Sequence, residues 1–353
     1  MTSLVLSLVL LSASPLPTPS PSPPLVRYEK TRMSMACAYT IVTYAADART
    51  LPAIVDSAFD EVDRIDRLMS HYKPESPLSR LNRAAAAGPV VVDPELFDFL
   101  ALALRYSRES DGAFDITVGP LMKAWGFFRG GGRVPSEAEL AALRARVGYR
   151  HVILDPAAHT VRFDTPGVEL DLGGIAKGYA VDRAVAVLRE ADVPAALVSA
   201  GGSTIYGLGA PPGGESWRVE VQDPIDPGKV ALAVRLKDRA LSVSGSAERS
   251  FERDGVRYSH IMDPRTLRPV PGVLGVAVLS ATGTDGDALD DAFFVAGVEK
   301  TRAALRRLPD TEAVVFLPEG EDHWRMVRLQ GGRHRPVTEW TGPPPRRGQA
   351  AAP

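Results

Sequence analysis

Three aspartates in the stretch DALDDAFF, Asp287, Asp290 and Asp291, stand at positions i, i+3 and i+4. On a helix that spacing puts all three carboxylates on one face. Like charges that close repel one another unless a cation sits among them, and hard oxygen ligands suit Mg2+ or Ca2+ rather than zinc. The simpler alternative is a run of acids at a helix start, favoured by the dipole, with Thr284 as cap. It explains one or two acids better than three.

A second group lies in DLGGIAKGYAVD, residues 171–182. Gly173 and Gly174 let the backbone come close to a ligand. The helix that follows offers unpaired N–H groups and a positive dipole end, to which Lys177 adds a full charge. Asp171 can accept hydrogen bonds from a ligand's ring or sugar. A plain strand–turn–helix joint with Lys177 in solvent would use the same residues. The stretch is neither a Walker loop nor a G-x-G-x-x-G loop, so those two nucleotide folds are disfavoured.

Further candidates are single residues. His260, in YSHIMDP, can move a proton near neutral pH, although a lone histidine at a strand end is more often a surface residue. In GAFDITVGPLMKAWGF, Asp115 and Thr117 alternate with apolar neighbours as in a strand, which Gly119-Pro120 would break. Trp125 and Phe127 can stack on an aromatic ring or fill a core. Tyr72 and Asn82 fall at a turn in MSHYKPESPLSRLNR.

These residues need a scaffold. AYTIVTYA alternates as a strand. LPAIVDSAFDEVDRIDRLMSHY carries Ile54, Ala58, Val62, Ile65 and Leu68 at helical spacing. PELFDFLALALRYSRES predicts a second helix stopped by Asp-Gly, and AELAALRARVG a third ending at a glycine C-cap, Gly148. HVILD and TVRF pair as a hairpin, and a second hairpin-like segment precedes HIMDP. YAVDRAVAVLREA, DALDDAFFVAG and KTRAALRRL read as helices. AALVSAGG, WRVEVQDP, VALAVRLKD, ALSVSGSAE and EAVVFL read as strands. Helices and strands mix without a regular βαβ period, which favours α+β: a single compact domain with mixed or antiparallel sheets and flanking helices.

The whole chain, 353 residues with a formal charge of −2, argues against broad nucleic-acid binding. Its one cysteine, Cys37, excludes an intrachain disulfide and a cysteine-based zinc or iron–sulfur site. LVLSLVLLSA suits the core of a signal peptide, and SPLPTPSPSPPL an extended tether. Residues 1–28 are therefore expected to be an export signal plus linker, 29–340 the domain, and 341–353 a disordered tail. An extracytoplasmic location, periplasm or cell envelope, follows from that reading.

Taken in order, HYKPESPLSRLN, FDITVGPL…WGF, DLGGIAKGYAVD, SVSGS, YSHIMDPRT and DALDDAFFVAG resemble the FAD:protein FMN transferase family. The resemblance covers roughly Met35 to Gly297. It implies an enzyme that binds FAD with Mg2+ in a cleft between two sub-regions. Such an enzyme transfers FMN to a threonine or serine hydroxyl of an acceptor flavoprotein and releases AMP. Carried onto this chain, the flavin and adenine contacts fall at Met35, Tyr72, Ala113, Phe114, Asp115, Asp171, Lys177 and Ile261. The metal position falls on the Gly174 carbonyl, Asp287, Asp290 and Asp291, and the proton acceptor on His260 or a metal-site aspartate such as Asp287.

Three departures from the family pattern stand out. Met35-Ala36-Cys37 replaces Met-Gly-Thr, Leu267 replaces a glycine after PRT, and Asp290 and Asp291 replace Ser and Thr. The added anions predict tighter divalent-ion binding or altered ion preference. Two other readings use the same residues: an FAD pyrophosphatase with water as acceptor, and a non-catalytic exported FAD-binding protein.

Overall fold

The computed structural model describes residues 25–128, 130–320 and 322–331. It opens on a hairpin of β1 (Val26–Ser34) and β2 (Cys37–Ala45), paired from Val26↔Ala45 to Ser34↔Cys37. The expected tether therefore gives way to sheet at Val26, ahead of Tyr28. The export signal, most of the Pro/Ser tract and the C-terminal tail lie outside the described residues.

Next come α1 (Leu51–Met69) and α2 (Pro77–Ala84), which Ser76 caps through the N–H of Ser79. After β3 (Val90–Val91), Asp93 caps α3 (Pro94–Glu109). Three short pieces follow: α4 (Gly119–Ala124), α5 (Glu137–Leu143) and the hairpin β4 (Val152–Asp155) with β5 (Thr160–Phe163). Two expectations fail here. α5 opens with a capping box on Ser136 and Glu139 and ends at Leu143, well before Gly148. Gly119-Pro120 starts a helix instead of breaking a strand, since proline fits the first helical turn.

The second half builds most of the sheet. α6 (Ala176–Glu190) leads into β6 (Ala195–Ala200) and β7 (Thr204–Leu208). Then come β8 (Trp217–Gln222), β9 (Val230–Leu236) and β10 (Arg239–Gly245). A hairpin of β11 (Ser250–Arg253) and β12 (Val256–Ser259) precedes the two-residue strands β13 (Met262–Asp263) and β14 (Arg268–Pro269). β15 (Gly275–Ser280), α7 (Gly283–Leu305), β16 (Glu312–Pro318) and β17 (Trp324–Gln330) complete the described chain. Gly297, at φ 74°, interrupts α7 where the sequence reading separated two helices.

Eight strands form one antiparallel sheet in the order β1-β2-β6-β7-β10-β15-β16-β17. The fold is α+β, as the irregular alternation predicts. Residues from α1, α3, α6 and α7 pack one face into the main core. The β8–β9 hairpin packs a second core, centred on Trp217, Val234 and Phe316, with alternate residues of β15 and β16. β15 is buried throughout because both faces are covered. A third cluster joins α4, α5 and Leu267 around Trp125. The candidate residues gather where α6 and α7 begin and β10 ends.

Candidate active site

The two motifs singled out in the sequence meet. Asp287, on the first turns of α7, accepts the backbone N–H of Gly178, on the first turn of α6, at 2.9 Å. The positive end of α6 is thus already met by a carboxylate from the chain itself. The approach is close enough to exclude side chains: a Cβ on Gly178 would overlap the Gly283 carbonyl. Asp182, the last residue of the glycine–lysine motif, locks the junction. Its carboxylate accepts the N–H groups of Gly283 at 2.6 Å and Thr284 at 2.8 Å.

The three acids do not point to one spot. Asp287 also accepts from Thr204 Oγ1 at 3.2 Å, and Thr204 shares a 2.8 Å hydroxyl contact with Ser242. Asp290 and Asp291 turn instead to Ser244 Oγ, at 3.0 and 2.8 Å. Gly174 faces Asp291 so closely that a Cβ there would meet Asp291 Oδ2, and it would lie 3.5 Å from the Phe114 ring. Among the described residues no group of three or more His, Cys, Asp and Glu side chains is placed to hold a metal ion. Lys177 donates to Ser203 Oγ at 2.6 Å.

The same architecture is found in known proteins. A model of the ApbE family matches residues 35–315. The chain belongs to the ApbE family. It is 36% identical over 300 residues to the FAD:protein FMN transferase of Treponema pallidum, spanning 81% of each chain. It is 33% identical over 267 residues to that of Escherichia coli K12, covering 74% of this chain and 76% of the relative. Among solved structures it resembles the ApbE protein of Thermotoga maritima at a TM-score of 0.79 and 32% identity, covering 86% of this chain and 97% of that one. The flavinyl transferase ApbE of Pseudomonas stutzeri, in its apo form, aligns at a TM-score of 0.77 and 28% identity, over 88% and 96%. This ApbE chain is thus a member of a family of transferases.

The electrostatics of this ApbE site are those of charge packed into protein. Burial, then Asp291 and Asp287, push the Asp290 carboxyl far above the usual range. Burial lifts Asp291 to about 7, with Ser244's hydroxyl opposing, and lifts Asp287 against the pull of Lys177. Burial alone would lower Lys177, but Asp287, Glu248 and Asp290 outweigh it and keep the ammonium charged. His260 moves the other way, down to about 4, through burial and then the positive Arg249. Its Nδ1 lies 3.1 Å from the Arg249 carbonyl oxygen, which can only accept. The ring proton therefore sits on Nδ1 and leaves the Nε2 lone pair available.

The remaining expected contacts fall into two groups. Phe114 lies at the Gly174 corner, and Asp171 at its start, accepting the Gly173 N–H at 2.9 Å. Tyr72 is partly exposed and stacks on Phe128 at 4.7 Å. Met35 sits in the β1–β2 turn, its sulfur accepting from Tyr39 at 3.1 Å. Asp115 is turned inward instead: it accepts from the Thr117 N–H and hydroxyl and from the Tyr149 N–H, so its side chain braces a turn. That Asx turn produced the alternation read as a strand. Ala113 and Ile261 are buried at 2% and 5% exposure.

Sequence reasoning missed several partners. Asn82 lies in α2 and grips both backbone groups of Leu170, at 2.8 and 2.9 Å, one residue before Asp171. Ser244 was noted only within SVSGS, and its hydroxyl is what Asp290 and Asp291 share. His71, next to Tyr72, stands between Asp171 and Glu169. For Asn82 the signal was only its place in an expected turn, whereas the residue lies in α2 with its amide turned to Leu170. For the others it was absent, because each partner lies far away in the chain.

Proposed function

We propose that this protein transfers FMN from FAD to a threonine or serine hydroxyl of an acceptor flavoprotein, releases AMP, and depends on Mg2+. One observation carries the reading: the corner from Gly174 to Gly178, which carries Lys177, packs directly against Asp287 and Asp291. The names of the relatives support it.

The donor set is all oxygen, the chemistry that a hard divalent cation takes, and the carboxylates would have to turn toward one another to hold it. Three carboxyls stand in protein against one lysine, a deficit of positive charge that a divalent ion would offset. Asp287, Asp291 and the Gly174 carbonyl are the oxygens we would assign to it, Asp291 turning from the Ser244 hydroxyl that it shares with Asp290. When bound, Mg2+ supplies charge neutralisation at the pyrophosphate oxygens. The chain's own part is positional. Lys177, fixed by Ser203, presents an ammonium to the phosphates, and Asp171 orients a ring or sugar of FAD. The acceptor oxygen attacks the FMN-side phosphorus, the bridging P–O bond breaks, and AMP leaves with the bridging oxygen. The hydroxyl proton passes to His260 Nε2. His260 is a weak base in the free protein, and an anionic pyrophosphate beside it would raise its basicity.

We place the protein outside the cytoplasm, on the strength of the N-terminal apolar run and Pro/Ser tract. The function is tested by incubation with FAD, Mg2+ and an acceptor. AMP release together with fluorescent flavin on the denatured acceptor is the expected result. AMP without fixed flavin would make the protein a pyrophosphatase. Bound FAD with no AMP would make it a carrier.

A further inference from the structure

His71 has no part in the mechanism above, yet it is among the most enclosed titratable groups beside the site. Its side chain is 6% exposed, with Nδ1 3.5 Å from Asp171 Oδ2 and Nε2 3.4 Å from Glu169 Oε2. Nδ1 is buried without an aligned hydrogen bond. The imidazole packs on Phe128 at 4.7 Å, and Phe128 stacks on Tyr72 at the same distance. Lys123, on α4, reaches Glu169 at 2.5 Å and stands 5.0 Å from the centre of the Phe128 ring. One side chain thus ties Asp171 to the aromatic pair.

We infer that His71 is a positioning residue for FAD: clamped between Asp171 and Glu169, it fixes the Asp171 carboxylate and the Tyr72–Phe128 stack, and so sets FAD affinity without touching the reacting phosphorus. This inference rests on the function proposed above. The charges that face His71 favour its protonated form. Burial opposes the cation, but Asp171 and Glu169 outweigh burial and raise the imidazole above its ordinary 6.5. Lys123 is already committed to Glu169, and the positive Arg249 also favours the Asp171 carboxylate. A protonated ring donates from both nitrogens, one toward each acid. A neutral ring has one donor, so it leaves one carboxylate without its bond. The clamp is therefore complete below pH 6.5 and is lost as pH rises through the raised value.

The experiment is FAD titration of the full chain by quenching of flavin fluorescence, from pH 5.5 to 9, with steady-state kinetics alongside. Wild type is expected to bind FAD less tightly at pH 9 than at pH 6. His71→Asn is expected to weaken binding at pH 6 by about tenfold, the loss of a buried cation between two carboxylates, and to flatten the pH dependence. The FAD KM rises with it, while kcat stays within about twofold. Glu169→Gln is the second variant; it keeps the Asp171 contact but moves the pH midpoint down, because one acid no longer supports the cation. Unchanged affinity and pH profile in both variants, or losses confined to kcat, would overturn the role of His71. Wild type that binds no FAD at any pH would overturn the proposed function itself, and the positioning role with it.

Discussion

Asp287 Oδ2 and the Gly178 N–H, 109 positions apart in the chain, lie 2.9 Å apart in the fold. That bond joins α7 to α6 and gives Asp287 two duties, as helix-end acceptor and as candidate metal ligand. Asp287→Asn separates them. The amide oxygen can still accept from Gly178, but the charge is gone. AMP release is expected to fall by about two orders of magnitude or more, as when a group stabilising developing charge is removed. The cap bond is kept, but the buried Lys177 ammonium loses the first of its counter-charges, so stability should fall, by up to about 3 kcal/mol. Retention of wild-type turnover at limiting Mg2+ would remove Asp287 from the site.

Leu267 holds φ 64° and is 1% exposed, with its carbonyl accepting from Trp125 Nε1 at 3.0 Å. Two effects oppose each other at this position. The left-handed backbone costs about 1–2 kcal/mol for a residue with a Cβ. Burial of a leucine side chain contributes about 2–5 kcal/mol by the cost of its truncation. Burial wins, so Leu267→Gly is expected to destabilise the protein in urea even though glycine suits the backbone. A more stable variant would mean that strain dominates.

Ala36 shares that conformation, at φ 60°, but is exposed. No buried side chain offsets the strain, and glycine's loss of backbone freedom, about 0.5–1 kcal/mol, is smaller than the relief. Ala36→Gly should therefore stabilise by roughly 0.5–1 kcal/mol. A lower unfolding midpoint would contradict this. The same family departure, a larger residue for glycine, thus has opposite consequences at the two sites.

His260 gives a pH signature. Its folded-state value lies near 4, below the ordinary 6.5. As pH falls from 6.5 toward 4 the unfolded chain takes up a proton that the folded chain refuses, so stability declines across that window. His260→Gln should abolish this part of the decline while removing the proposed proton acceptor. Parallel stability curves for wild type and variant between pH 4 and 6.5 would show that His260 is not desolvated.

Much of the scaffold was legible because burial is periodic. Of the apolar positions read at helical spacing in α1, Ala58, Val62 and Ile65 are fully buried and Leu68 nearly so, while Ile54 is half-buried and Val55 and Phe59 complete the face. The i, i+3, i+4 acids were legible for the same reason. What those acids point at was not. Ser244 and Gly178 reach them through strand order and a helix crossing, neither of which leaves a local pattern. β7 and β15 lack alternation because both their faces are covered, and β1 was hidden by the proline tract before it. His71 was passed over although it stands beside Tyr72, because its two acids lie about a hundred residues further on.

Asp290 tests what the extra acids do. It is 1% exposed, shares Ser244 with Asp291, and is pushed far up by burial and then by its two neighbours. An acid whose folded value is raised holds its proton longer in the fold than in the unfolded chain. Stability is then present at low pH and lost as pH climbs from about 4 through the raised value. Asp290→Ser removes that loss and restores a neutral hydroxyl. In chelator at pH 8 the variant should melt higher than wild type, by about 1–3 kcal/mol of stability. Adding Mg2+ should narrow the gap, because in wild type a cation among the carboxylates offsets the repulsion that the variant lacks. Equal melting in chelator would mean that Asp290 is already neutral or relieved by other groups. An unchanged gap on adding Mg2+ would mean that the cation does not sit among these acids.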